Sequence, residues 1–212
     1  MKKVRQALRL LMLMAALLMG SPASAYDFSA DGISYNVVSL ADLTCHVGGT
    51  SRTGLLMIPE QVSCGSRTMA VTGVAACAFI ENTSITGVSL PPTVVSIGSD
   101  AFARCKGLTS LSLRGQVREI GNYAFEQCSR LGSVTLGSNV STIGERAFEQ
   151  CTALKSITLE STTPPAADDN TFSTDTYLTA TLYVPQGTLQ AYRQASCWRN
   201  FLIKEADAQS RQ

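Results

Sequence analysis

A solenoid of short stacked coils, closed by a cap at each end, is the fold class that this 212-residue sequence predicts. Three observations carry the prediction. Residues 120–128 read IGNYAFEQC and residues 143–151 read IGERAFEQC, with a looser copy, IGSDAFARC, at 97–105, so one phrase recurs every 23 residues. Apolar residues fill matching columns between the copies. The segments at either end lack this phrase yet contain alternating apolar runs.

The columns are explicit. Ile97, Ile120 and Ile143 share one, each followed by a glycine (Gly98, Gly121, Gly144). Ala101-Phe102, Ala124-Phe125 and Ala147-Phe148 come next, then Cys105, Cys128 and Cys151, then Leu108, Leu131 and Leu154. Leu111, Val134 and Ile157 precede Leu113, Leu136 and Leu159. A worn copy lies upstream at Val74, Ala78-Phe79, Ile85, Val88 and Leu90, with Asn82 in the cysteine column. That makes about four units over residues 71–160. A period in the twenties with an L-x-x-L-x-L core is the signature of a leucine-rich repeat solenoid, in which no coil can bury its apolar side alone.

Within a unit, the L-x-L pieces (Leu111–Leu113, Val134–Leu136, Ile157–Leu159) alternate with period two and predict short strands in one parallel sheet. Val117–Gly121 and Val140–Gly144 read as a second extended stretch ending in a glycine turn. The A-F-x-x-C-x-x-L piece spaces its apolar residues three and four apart, which predicts one helical or 3-10 turn on the opposite wall. Mainly parallel β with such turns makes a right-handed β/α superhelix. Phe102, Phe125 and Phe148 then form an interior spine.

The ends divide further. Residues 1–25 carry Lys2, Lys3, Arg5 and Arg9, an apolar run from Leu10 to Met19 and the small-x-small site Ala23-Ser24-Ala25, the pattern of a secretory signal peptide cleaved before Tyr26. A membrane-spanning helix needs about 18 or more apolar residues, and this run is shorter. The first cysteine is Cys45, so no acyl-anchoring site follows the run, and no second long apolar run occurs. Residues 26–70 are expected to form an antiparallel β cap, 161–204 a β-plus-helix cap and 205–212 a polar tail. Caps are required because a solenoid ends in open strand edges. Trp198 is expected to plug the last coil, with ligand stacking as the alternative.

The chain has 17 basic and 16 acidic residues, and the leader takes four basic ones, leaving 13 against 16, a net of −3. Without a basic cluster it lacks the footprint of a nucleic-acid binder, and a leaderless chain of this pattern is not expected to insert in a membrane. Export to an oxidising compartment makes the seven cysteines matter. Equivalent ladder cysteines point the same way, so Cys105, Cys128 and Cys151 are expected as buried reduced thiols. If any pair bridges, Cys45 and Cys64 in the cap are the better candidates.

The repeats, together with Asp31-Gly32-Ile33-Ser34-Tyr35 and Leu56-Met57-Ile58-Pro59 ahead of them and Thr181–Pro185 through Tyr192 to Trp198 and Phe201 behind, resemble the BspA-like leucine-rich repeat proteins exported by Gram-negative anaerobes. The S-I-G-x-x-A-F-x-x-C-x-x-L phrase is clearest at Ser96–Leu108. The family's proline after the sheet strand stands at Pro59 and Pro91 but is replaced by Arg114, Gly137 and Glu160. The resemblance implies adhesion or contact with a host matrix or another cell-surface protein, in a secreted or cell-surface location, with the periplasm the other possibility. A structural or accessory subunit of an envelope assembly is the alternative.

Chemistry has little to stand on. The one histidine, His46, adjoins Cys45, and neighbours on a strand face opposite ways. No nucleophile elbow, zincin, phosphate-loop, dinucleotide or C-x-x-C motif occurs, and no cofactor is implied. Glu126, Glu145 and Glu149 beside Arg104, Arg130 and Arg146 read as surface charge. Asp168-Asp169-Asn170, with Asp175 nearby, matches no EF-hand loop, and the sequons at Asn82 and Asn139 carry no information in a bacterial protein. What remains is the outward face of the sheet, a candidate binding face of Ser89, Ser110, Ser112, Ser133, Thr135, Ser156 and Thr158 flanked by Arg114 and Glu160. Small polar residues also suit the close spacing of a solenoid. The face offers no aromatic platform on this reading.

Overall fold

A computed structural model describes residues 27–206. The expected signal peptide and most of the expected polar tail lie outside the described residues.

The chain begins as an antiparallel meander, β1 (Asp27–Ala30), β2 (Ile33–Ser39) and β3 (Thr44–Thr50), followed by β4 (Gly54–Met57), β5 (Gln61–Cys64) and β6 (Arg67–Val74). β5 pairs antiparallel with β6, whereas β3 pairs parallel with it, so the cap grafts an antiparallel sheet onto a parallel stack. Each unit then contributes two strands. β8 (Ser96–Ile97), β10 (Glu119–Ile120) and β12 (Thr142–Ile143) extend β6 along one wall, all in parallel register. β7 (Ile85–Ser89), β9 (Ser110–Leu113), β11 (Ser133–Leu136) and β13 (Ser156–Leu159) line the next. On each strand the column residues are buried and their neighbours face out, as the period of two requires.

The stacking does not stop at residue 160. Ala166 bridges Thr142, Phe172 bridges Phe148, and β14 (Thr181–Val184) and β15 (Leu202–Glu205) continue the parallel sheet beyond β13. Strands β4, β7, β9, β11, β13, β14 and β15 thus follow one another along this wall in about seven coils. Three short helices, α1 (Thr174–Thr179), α2 (Leu189–Gln194) and a 3-10 turn (Trp198–Asn200), lie among the last coils.

The third wall keeps the i to i−3 bonds of the expected 3-10 turn, as from Cys105 N to Phe102 O at 3.2 Å, but forms no continuous helix. It is a succession of tight turns with two left-handed residues per coil, Asp100 and Arg104 (φ 56° and 60°), Tyr123 and Gln127 (58° and 56°), and Arg146 and Gln150 (53° and 57°). Single left-handed residues interrupt a right-handed helix, and they turn alternate amides along the stack. Phe102 N donates to Ala124 O at 2.7 Å and Arg104 N to Glu126 O at 2.7 Å, while Ala103 and Cys105 bond within their own coil. Inter-coil backbone bonds therefore replace the helical ones, and apolar spacing of three and four satisfies either arrangement.

The core is one continuous cluster through all coils. Rings of Phe79, Phe102, Phe125, Phe148 and Phe172 stack with centroids 4.8, 5.2, 5.3 and 5.3 Å apart. Trp198 and Phe201 close the stack edge-on against Phe172 at 5.8 and 5.2 Å. Trp198 is fully buried and donates to the Pro165 carbonyl at 2.8 Å, so it is the plug and has no face for a ligand.

The glycine after each isoleucine answers a close approach, not a turn. A Cβ on Gly121 would lie 2.5 Å from Ser99 N and 2.7 Å from Gly98 C, and Gly144 repeats this against Asn122 and Gly121.

Candidate functional site

The outward residues of the second wall form two columns in strict register. Ser110, Ser133, Ser156 and Thr181 make one, and Ser112, Thr135, Thr158 and Tyr183 the other. Ser110, Ser112 and Ser133 are exposed, and Thr135, Ser156 and Thr158 half-buried. None of these six side chains makes a hydrogen bond among the described residues, so their hydroxyls are left for water or a partner.

Two corrections follow. The face does carry an aromatic ring, because β14 places Tyr183 beside Thr158, with Lys204 of β15 next in the column. At the other end Leu55 and Met57 of β4 stand in register with Gly87 and Ser89. The 23-residue phrase reaches none of these four, although T-L-Y-V repeats the x-L-x-L alternation of the earlier strands. Second, Arg114 and Glu160 do not flank the ladder independently. Arg114 Nε donates to Glu160 Oε1 at 2.7 Å across two coils, over Gly137. A Cβ on Gly137 would come within 3.0 Å of Arg114 Cα and Leu113 O, so this position is another close approach between coils. An exposed pair of this kind contributes about 0–1 kcal/mol.

Elsewhere the polar groups are structural. Cys105, Cys128 and Cys151 donate their thiols to the carbonyls of Phe79, Phe102 and Phe125 in the preceding coils at 3.1, 3.2 and 3.2 Å. Burial pushes the Cys105 and Cys151 thiols up to about 12, with Cys128 raised further. All seven cysteines are free. Cys45 and Cys64 lie on β3 and β5, which flank β6 on opposite edges, so they do not meet across an antiparallel pair. Iodoacetamide labelling of the native protein is expected to modify exposed Cys77 first, and the three ladder cysteines only after denaturation without reductant. Labelling of Cys128 in the native state would contradict this packing.

His46 packs over Gly73, where a Cβ would meet the imidazole at 2.7 Å, and burial lowers its pKa below 6.5. Cys45 points to the opposite side, into the core. Asp169 serves as a latch: its Oδ1 accepts the Cys197 N–H at 2.7 Å and the Asn200 amide at 3.3 Å. Among the described residues no three metal-ligating side chains converge, and no helix is long and apolar enough to cross a membrane.

Comparison with known proteins agrees with this architecture. A leucine-rich repeat protein of T. pallidum aligns with a TM-score of 0.65 at 22% identity, covering 84% of this chain and 80% of its own. One from Bacteroides capillosus gives a TM-score of 0.55 at 24% identity, over 63% of this chain and 98% of its own. A leucine-rich cell surface protein of Faecalibacterium prausnitzii gives 0.51 at 20% identity, over 77% and 55%. Among curated proteins none matches. The model of the BspA type leucine rich repeat region matches residues 68–192 in six copies, taking in the coils beyond residue 160. The chain belongs to the BspA-type leucine-rich repeat family.

Proposed function

We propose that this chain is an exported, non-enzymatic protein-interaction module of the cell surface, which uses the hydroxyl ladder to adhere to a host-matrix protein or to a protein of another cell. The observation that supports this most is the register of Ser110, Ser133 and Ser156 beside Ser112, Thr135 and Thr158, outward over three consecutive coils and free of internal hydrogen bonds. Ser89 of β7 extends the ladder by one coil and Tyr183 adds an aromatic anchor of the kind enriched at interface hot spots. Leucine-rich repeat solenoids bind proteins on such extended surfaces, and the cell-surface description of the Faecalibacterium prausnitzii protein supports the location.

The test is a binding screen of the chain from Tyr26 onward against extracellular-matrix proteins, run beside a pull-down from envelope fractions. Thr135→Trp is expected to abolish binding to any partner on this face. Its thermal stability should stay within about 0.5 kcal/mol, the range of surface substitutions. Recovery of a bacterial envelope protein in place of a matrix protein would make the chain an envelope subunit. Unaltered binding by Thr135→Trp would move the site off the ladder.

A further inference from the structure

β4 is the first strand of its wall and is paired on one side only, with β7. Gly54 N donates to Ser84 O at 2.8 Å and Ile58 N to Ser89 O at 3.0 Å. Backbone groups alternate along a strand, so the N–H and C=O of Leu55 and Met57 point away from β7. Among the described residues no backbone bond outside the ladder takes them. Proteins usually blunt such an edge with charge, proline or a covering segment. Here it displays Leu55 at 61% and Met57 at 55% exposure.

A cleft of about 330 Å³ opens beside the end of this strand, between the Asp31 turn, Arg52, the Met57–Pro59 segment and β5. Ile33, Tyr35 and Val62 are its buried apolar lining, and Met57 belongs to both the edge and the cleft. Its volume is at the low end for ligand sites, which suits a side chain or two. Its polar lining comprises Asp31, Arg52, Gln61 and Ser63. Arg52 Nε donates to the Asp31 carbonyl at 2.6 Å, which holds the guanidinium in place, while its terminal nitrogens have no acceptor among the described residues. The Tyr35 ring is buried, while its hydroxyl makes no hydrogen bond to a described residue and is not sealed from solvent. The exposed guanidinium, served by water when the cleft is empty, is a seat where a carboxylate would gain a charge-assisted bond.

We propose that β4 and this cleft form a strand-addition site, where an extended segment of a partner protein pairs with Leu55 and Met57 and sets an acidic side chain against Arg52 and Tyr35. Outward amides and carbonyls spaced along a strand are matched by another polypeptide backbone, and the flanking cleft reads its side chains. The proposal rests on the reading of the chain as an interaction module, but it uses the backbone edge of β4 and the cap cleft, three strands along the wall from Thr135, and not the ladder hydroxyls.

The experiment is fluorescence anisotropy of a labelled heptapeptide of alternating valine and glutamate, titrated with the chain from Tyr26 to Gln212. Valine–lysine and valine–glutamine heptapeptides are the comparisons. The glutamate peptide is expected to bind at least about tenfold more tightly than the lysine peptide, a difference of about 1.4 kcal/mol. Leu55→Pro removes an outward N–H, as edge strands tolerate, and should weaken binding about tenfold or more. Leu55→Lys, on an already exposed side chain, should weaken it while leaving the fold intact. Arg52→Gln should weaken the glutamate peptide and leave the glutamine peptide unchanged. Thr135→Trp should not alter peptide binding, so the ladder and the edge fail or succeed separately. No binding of the glutamate peptide, equal binding of the lysine peptide, or unchanged affinity in both Leu55 variants would overturn the proposal. A dimer dispersed by Leu55→Pro would also overturn it, by assigning the edge to a second copy.

Discussion

Phe125→Ala is expected to destabilise the protein by about 3–5 kcal/mol, the cost of removing a fully buried ring. Phe125 is 0% exposed and lies between Phe102 and Phe148 at centroid distances of 5.2 and 5.3 Å. Its neighbours cannot close the gap, because backbone bonds on either side hold the coils at their spacing: Phe125 N to Ala147 O at 2.8 Å and Phe102 N to Ala124 O at 2.7 Å. A cavity that cannot collapse carries the full penalty. Against a typical total stability of about 5–15 kcal/mol, the loss should lower the urea midpoint sharply. The coils on the two sides of the gap would then begin to unfold separately, since each contacts only its neighbours. An unchanged midpoint would show that the phenylalanine stack is not what holds the coils together.

Gly121→Ala should do comparable damage through one added carbon. The new Cβ would meet Ser99 N at 2.5 Å, Gly98 C at 2.7 Å and Ser99 Cα at 2.9 Å, all backbone atoms of the preceding coil. No rotamer change relieves a backbone clash. The coils must part, and the bond from Gly121 N to Ile97 O at 2.8 Å goes with them. Overpacking a core costs about 1–3 kcal/mol where side chains can shift; here they cannot, and the loss should exceed that range. Gly132→Ala is the control. Its Cβ would meet only Thr109 O at 3.7 Å and Ala153 O at 3.9 Å, ordinary contact distances, and its melting temperature should be nearly unchanged. Equal destabilisation by the two substitutions would refute the close-approach account of the glycine column.

Much of the fold is legible in the sequence because a solenoid turns sequence period into spatial adjacency. Residues 23 apart, such as Ile97 and Ile120 or Phe102 and Phe125, sit one above the other. A column of like residues is therefore already a statement about packing, and the outward ladder follows from the alternation within each strand. The coils past residue 160 are harder to see: Phe172 comes 24 residues after Phe148, and Leu182 comes 25 after Ile157. The pairing between coils tolerates that drift, since Phe172 still bridges Phe148 and Leu182 still pairs with Ile157, but a search at fixed period does not.

The sequence by itself thus determined the repeat, its buried columns and the ladder of small hydroxyls. The tertiary structure alone decided that the third wall is built of turns, because the choice depends on which coil supplies each carbonyl. It alone paired Arg114 with Glu160 two periods apart, and brought Tyr183 and Met57 to the ends of the ladder. The open edge of β4 and the cleft beside it belong to a cap without any period. Where no residue repeats, adjacency is set by how strands from distant positions pair, and that pairing exists only in the folded chain.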